Sequence, residues 1–340
     1  MVHRILIVTA VAAEADSVST GLGLGAPELL PLPGGVVLRR HTDAPGSPGA
    51  GPAGSRGNGF ADSPDSPDAS PTDAPNALPS PGSPGDCPAG SRGNGLTDAP
   101  NSSNSPGSPP SPGSPSSRLH VDVLVGGVGP AAVAASTGTA LAHAALTDTP
   151  GPSSGSSGPS SGPSGSAPPP PYDLVVSAGI AGGFQPLAPL GSVVVSSAVV
   201  AADLGAQTPD GYLTVDELGF GRSVHPVPEA LTRRIAAVLA AAGLPHTVAP
   251  VLTVSTVTGT AGRAAELAGL RPGAAAEAME GFGVAEAAAG YAVPVVEIRA
   301  VSNAVGPRDR AAWRIGEALE ALRHTFELLG KTVFLELEPS

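Results

Sequence analysis

The octapeptide PAGSRGNG occurs twice, at residues 52–59 and 88–95, within a stretch from 42 to 118 that is almost wholly Pro, Gly, Ser, Asp, Ala and Asn. TDAP recurs in the same stretch, beginning at Thr42, Thr72 and Thr97, and a second run rich in Ser, Gly and Pro covers 147–171. Segments of this kind carry too little apolar side chain to offset the entropy of ordering them, so both are expected to be disordered low-complexity inserts. They hold much of the 46 Gly and 40 Pro in the 340 residues. What is left, about 240 residues, has the size of one α/β domain interrupted twice.

That remainder alternates in type. Val- and Ile-rich runs at 5–10, 121–126, 173–178, 192–201, 248–255 and 294–300 read as strands, most of them apolar on both faces. Helical patterning falls at 130–145, 228–242, 281–289 and 309–329, the last with Ile315, Leu319, Leu322, Phe326 and Leu329 spaced four and three apart and Gly330 as a stop. Doubly buried strands alternating with helices predict an α/β fold, a three-layer α/β/α sandwich around a mixed central sheet. Aromatic residues are only 3% of the chain, so its core must be built from Ala, Val and Leu.

The formal net charge is −12 and the 17 Lys and Arg are scattered, which disfavours a nucleic-acid backbone or an anionic membrane as partner and favours a small molecule. Cys87 is the single cysteine, so neither an intramolecular disulfide nor a cysteine metal cluster is available. The apolar run after His3 and Arg4 has two readings, a short signal sequence or a first buried strand. Its brevity and the acids Glu14 and Asp16 that follow favour the strand, and with it a cytoplasmic protein. No uninterrupted segment approaches membrane-spanning length.

In an open α/β sheet, ligands gather beyond the carboxyl ends of the strands. Glu14 lies there after the first strand, at a helix start where a plain first-turn acid would also be stabilised. Gly126-Gly127-Val128-Gly129-Pro130 joins a strand to a helix and reads equally as a tight connection or as backbone N–H groups offered to a ligand; it lacks the spacing of a dinucleotide fingerprint. Ser177-Ala178-Gly179-Ile180-Ala181-Gly182-Gly183 allows close backbone approach. Met279 and Glu280 stand among Ala and Gly at a strand-to-helix junction, and Asn303 follows Arg299-Ala300-Val301-Ser302. His225 and His246 form no compact ligand set, so no metal is expected.

These segments, in this order, resemble the nucleoside phosphorylase and nucleosidase superfamily. Residues 201–211 and 302–309 are similar to its futalosine hydrolase branch in particular. The resemblance implies cleavage of an N-glycosidic bond without a cofactor, in a cytoplasmic homo-oligomer, with futalosine giving hypoxanthine and dehypoxanthine futalosine on the way to menaquinone. It places Glu14 as the group that activates water, Glu280 on the ribose hydroxyls, Met279 beneath the sugar, and Gly129, Gly179 and Ile180 along the substrate. Asn303 stands where adenine-releasing nucleosidases carry Asp. An amide can hydrogen-bond a 6-oxopurine, whereas a carboxylate would set an acceptor against O6. The alternatives are a methylthioadenosine or adenosylhomocysteine nucleosidase, a purine nucleoside phosphorylase, or a non-catalytic binding protein whose Pro- and Gly-rich inserts are the working part.

Overall fold

The computed structural model describes residues 2–42, 118–147 and 169–337. The expected inserts fall outside the described residues except at their ends, where regular structure runs through Thr42, resumes at Arg118 and includes Thr147.

β1 (Val2–Thr9) and α1 (Ala12–Leu22) are followed by an antiparallel pair, β2 (Glu28–Pro31) and β3 (Val37–Thr42). β4 (Arg118–Val125) leads into α2 (Pro130–Thr147). β5 (Leu174–Gly183) and β6 (Val193–Ala201) precede a small hairpin of β7 (Gly205–Thr208) and β8 (Gly211–Thr214). Then come β9 (Val224–Pro226), α3 (Glu229–Ala241), β10 (His246–Thr253), α4 (Ala261–Leu270), β11 (Ala276–Ala278), α5 (Gly281–Ala289), β12 (Val295–Ala304) and α6 (Ile315–Gly330).

Ten strands make one mixed sheet in the order β11, β10, β6, β12, β5, β1, β4, β3, β2, with β9 beside β6. The middle of it, β12, β5, β1 and β4, is parallel, and these strands are covered by α1 and α6 on one face and by α2 and α5 on the other. This is the three-layer arrangement that doubly buried strands demand: Ile5, Leu6, Ile7, Val175, Val176, Val296 and Ile298 are all fully enclosed. β11 pairs with β10 and also, antiparallel, with the end of β5, so that side of the sheet curls back on itself.

The last helix departs from the sequence expectation. α6 begins at Ile315, because Asp309 instead caps a 3₁₀ turn over Arg310–Ala312, accepting from Ala311 N at 3.1 Å. Ile315 is exposed and Ala318 takes the buried position, with Leu322, Phe326 and Leu329 behind it as expected.

One polar group is embedded in the parallel region. Asp122, in β4, is fully enclosed and receives Arg40 Nε and Nη2 at 3.0 Å each and Tyr172 Oη at 2.7 Å, with His120 Nε2 at 3.3 Å. Burial alone would raise its pKa; the His120, Arg40 and Tyr172 side chains more than reverse that and hold it below its ordinary 3.8. A depressed folded value means that this carboxylate contributes its full stability above the ordinary value and loses it as pH falls below 3.8. Asp122→Ala should therefore destabilise the protein by about 3 kcal/mol at pH 7, by removing the buried carboxylate on which Arg40, Tyr172 and His120 converge. Urea unfolding checks this, and the gap between variant and native should narrow as the pH is lowered below 3.8.

Candidate active site

Glu14 sits where the first strand hands over to the first helix. It lies in the first turn of α1, and its Oε2 accepts from Ala10 N (3.0 Å) and Val11 N (3.3 Å), serving N–H groups that the helix cannot satisfy itself. Its Oε1 turns the other way and accepts from Ile180 N on β5 at 2.9 Å. The side chain is thereby drawn off the helix surface and buried at the carboxyl ends of β1 and β5.

Glu280 reaches the same place from another direction. It occupies the N-cap position of α5, two residues past β11, without a side-chain capping bond, and is buried. Its Oε1 accepts from Gly129 N and its Oε2 from Met279 N, each at 3.3 Å. Gly129 holds φ at 91°, a conformation open to glycine and strained for other residues, and this aims its N–H at the carboxylate.

Arg299 joins the two. It stands on β12 opposite Gly179 of β5, 1% exposed, with Nη2 3.2 Å from Glu280 Oε2 and 3.2 Å from Ser177 Oγ, and Nε 2.8 Å from Glu297 Oε1. Burial works against its charge, but the carboxylates of Glu297, Glu280 and Glu14 outweigh burial and hold the guanidinium cationic well above its usual range. Gly179 makes the convergence possible, since a Cβ there would lie 2.5 Å from Glu14 Oε1 and 2.7 Å from Arg299 Nη1. Any side chain at 179 would occupy the space in which the two charged groups face each other.

Beside this centre a cavity of about 350 Å³ is lined by Pro130, Ala201, Asp203, Leu204, Thr253 and Phe282, among others. Pro130 follows Gly129, and Phe282, two residues past Glu280, is fixed by its N–H to Thr253 Oγ1 at 2.8 Å. Glu280, bonded to Gly129 N and two residues before Phe282, thus stands next to a space suited to a small organic ligand, although its carboxylate is not among the lining groups.

Of the residues singled out from sequence, Glu14, Glu280, Gly129, Gly179 and Ile180 meet here, and Met279 contributes its backbone N–H. Asn303 does not touch the carboxylates. It pairs with Gly182, three residues beyond Gly179 and so roughly 10 Å further along the strands. Its amide bonds only neighbours, Nδ2 to Ala304 O at 3.0 Å and Oδ1 to Ser302 Oγ at 2.9 Å. His225 is engaged within the chain, 2.9 Å from Glu286 Oε1 and packed on Phe282.

Sequence reasoning gave no role to Arg299, Glu297 or Ser177. The signal was present: opposite charges two apart in an otherwise apolar strand must project from the same face and, once buried, must pair.

Glu14, Glu280, Glu297 and Arg299 thus gather beyond the carboxyl end of β1, in a mixed sheet between two helical layers. The sequence profile of the phosphorylase superfamily matches residues 118–333, and the chain belongs to that superfamily. Within it, a futalosine hydrolase of Streptomyces coelicolor is 57% identical over 201 residues, 59% of this chain and 74% of that protein. A futalosine hydrolase of Acidothermus cellulolyticus is 46% identical over 159 residues, 47% of this chain and 65% of the relative, slightly under two thirds of its length. Among solved structures, the 5′-methylthioadenosine/S-adenosylhomocysteine nucleosidase of Helicobacter pylori superposes with a TM-score of 0.59 at 14% identity, covering 98% of each chain, which supports the fold.

Gly179→Ala should displace Glu14 or Arg299 from the centre. A shift of about 1 Å in a reacting group is worth roughly 100-fold in rate. Turnover measured beside a thermal melt should show that loss in a protein that still folds.

Proposed function

We propose that the protein hydrolyses the N-glycosidic bond of futalosine, releasing hypoxanthine and dehypoxanthine futalosine on the route to menaquinone. The observation that carries this reading is the burial of Glu14 and Glu280 in one cluster, with Glu280 paired to Arg299 and Glu14 set across Gly179 from Arg299 Nη1. The similarity to two futalosine hydrolases supports the choice of substrate.

The geometry accounts for the steps. A carboxylate offers about four lone-pair positions. Ala10 and Val11 take Oε2 of Glu14 and Ile180 takes one position on Oε1, so the vacancy is on Oε1, the oxygen nearest Gly179 and Arg299. A water there donates to Oε1 and accepts from Arg299 Nη1, which has no hydrogen-bond partner among the described residues. Glu14 removes its proton as it attacks the anomeric carbon, where oxocarbenium character develops, while the C–N bond breaks, its electron pair leaves with the purine and the hypoxanthine takes up a proton from solvent. Glu280, next to the cavity, accepts from the ribose hydroxyls and stabilises the positive charge forming on the sugar.

The same hydrogen bonds disfavour a phosphorylase. A phosphate acceptor requires backbone N–H groups and arginine, and here the N–H groups of Ala10, Val11 and Ile180 and most of the Arg299 guanidinium are already given to carboxylates. Asn303, further along β12, supports a 6-oxopurine leaving group. The protein is further inferred to act in the cytoplasm as a homo-oligomer. Phe220 (82% exposed), Leu204, Leu213 and Val224 leave apolar surface around the β7–β8 hairpin beside the cavity, as a subunit contact would need.

The test is release of free base from futalosine, inosine and methylthioadenosine, each with and without phosphate. Hypoxanthine from futalosine without phosphate, with turnover at least about 100-fold lower in Glu14→Gln, is the expected result; a phosphate requirement would overturn it. In Asn303→Asp the ratio of hypoxanthine to adenine release should fall at least about tenfold, since a carboxylate repels O6 and accepts from a 6-amino group. Equal ratios in the two proteins would remove Asn303 from base selection.

A further inference from the structure

A third carboxylate at the centre, Glu297, has no part in the steps above. It is fully buried on β12, and its backbone N–H donates to Ser196 Oγ at 2.8 Å. Its Oε1 accepts from Arg299 Nε, while Oε2 has no hydrogen-bond partner among the described residues. Residue 281 opposite is glycine, and a Cβ there would fall on this carboxylate. Burying a carboxylate with one oxygen unsatisfied is costly, so what Glu297 does for Arg299 is the question.

An arginine beside a carboxylate tends to close a two-point pair through Nε and Nη2. Arg40 does so with Asp122, at 3.0 Å on both bonds. Arg299 does not: Nε is taken by Glu297, Nη2 divides between Ser177 and Glu280, and Nη1 is left on the Glu14 side. We propose that Glu297 is a positioning residue which, by holding Nε, fixes the rotation of the Arg299 guanidinium, so that Nη2 meets Glu280 and Nη1 faces Glu14 without a two-point pair forming to either.

This inference rests on the reading that Glu14 and Glu280 are at the reaction. The charged groups facing Glu297 are Arg299 and Glu280, with Glu14 beyond the guanidinium; β5 and β6 present the neutral Ser177 and Ser196. Burial pushes the Glu297 carboxyl above its ordinary range, Arg299 pulls the other way and Glu280 adds to the rise. The place of its acceptor oxygen therefore counts for more than its charge.

Two variants of the full chain separate place from charge. Glu297→Gln keeps the length and the acceptor and loses the charge, whereas Glu297→Asp keeps the charge and withdraws the acceptor by one methylene, about 1.5 Å. Base-release kinetics should show kcat of the Gln variant within about threefold of native, and kcat of the Asp variant at least tenfold lower with KM changed by less than threefold. The ¹⁵N–¹H resonance of Arg299 Nε, assigned by its loss in Arg299→Lys, should be alike in native and Gln proteins and displaced in Asp. An Asp variant as active as native, a Gln variant as impaired as Asp, or an Nε resonance unchanged in all three would overturn the proposal. If the native protein released no base, the functional reading would fall, and the Nε resonance would still decide whether Glu297 sets the guanidinium.

Discussion

The centre depends on one buried cation. Arg299 is enclosed by the sheet and helices, and an arginine cannot shed its charge to relieve that burial. It must be met by carboxylates, and the chain supplies them from three places: Glu14 at the start of α1, Glu280 at the start of α5 and Glu297 on β12 itself. Three carboxylates around one cation exceed its charge in a dry site, and Glu14 and Glu280 are further held by backbone N–H groups of Ala10, Val11, Ile180, Gly129 and Met279. Each such bond ties a loop to the centre, and together they bring the ends of β1, β4, β5, β11 and β12 to one point.

The glycines follow from the same constraint. At 179 the guanidinium and the Glu14 carboxylate occupy the volume of a side chain, and at 281 the Glu297 carboxylate does. From sequence these positions read only as flexible turns, because nothing local distinguishes a glycine chosen for conformation from one chosen because a distant charged group lies over it. Gly129 is the conformational case, with its positive φ.

What was legible in the sequence is what local pattern controls. Strands apolar on both faces announced the central sheet, and residues just past their ends announced Glu14, Gly129, Gly179, Ile180 and Glu280. The elements that escaped are stabilised from elsewhere. β2 and β3 form an edge of mixed polar and apolar residues, β11 has three residues and two neighbours, and α4 buries only Leu267. α6 started six residues late because Asp309 found a nearer N–H to serve. Arg299 and Glu297 were visible as letters, but their meeting with Glu14 and Glu280 is a property of the fold.

The described residues at which the low-complexity sequence begins and ends can be placed relative to the site. Thr42 and Arg118 stand at the amino end of β4, where Arg118 is level with Val2, while the centre is built beyond that strand's carboxyl end. Thr147 ends α2, an 18-residue helix that starts beside Gly129 and so carries the chain about 27 Å away from Glu280. Thr42, Arg118 and Thr147 therefore all lie away from the carboxylates. Asp122, with Arg40 and Tyr172, lies midway along β4, and Arg299 with its carboxylates lies beyond the carboxyl end of β1, so the parallel strands carry two separate buried ionic groups. Among the described residues, no hydrogen bond of the Arg299 centre comes from Thr42, Arg118 or Thr147.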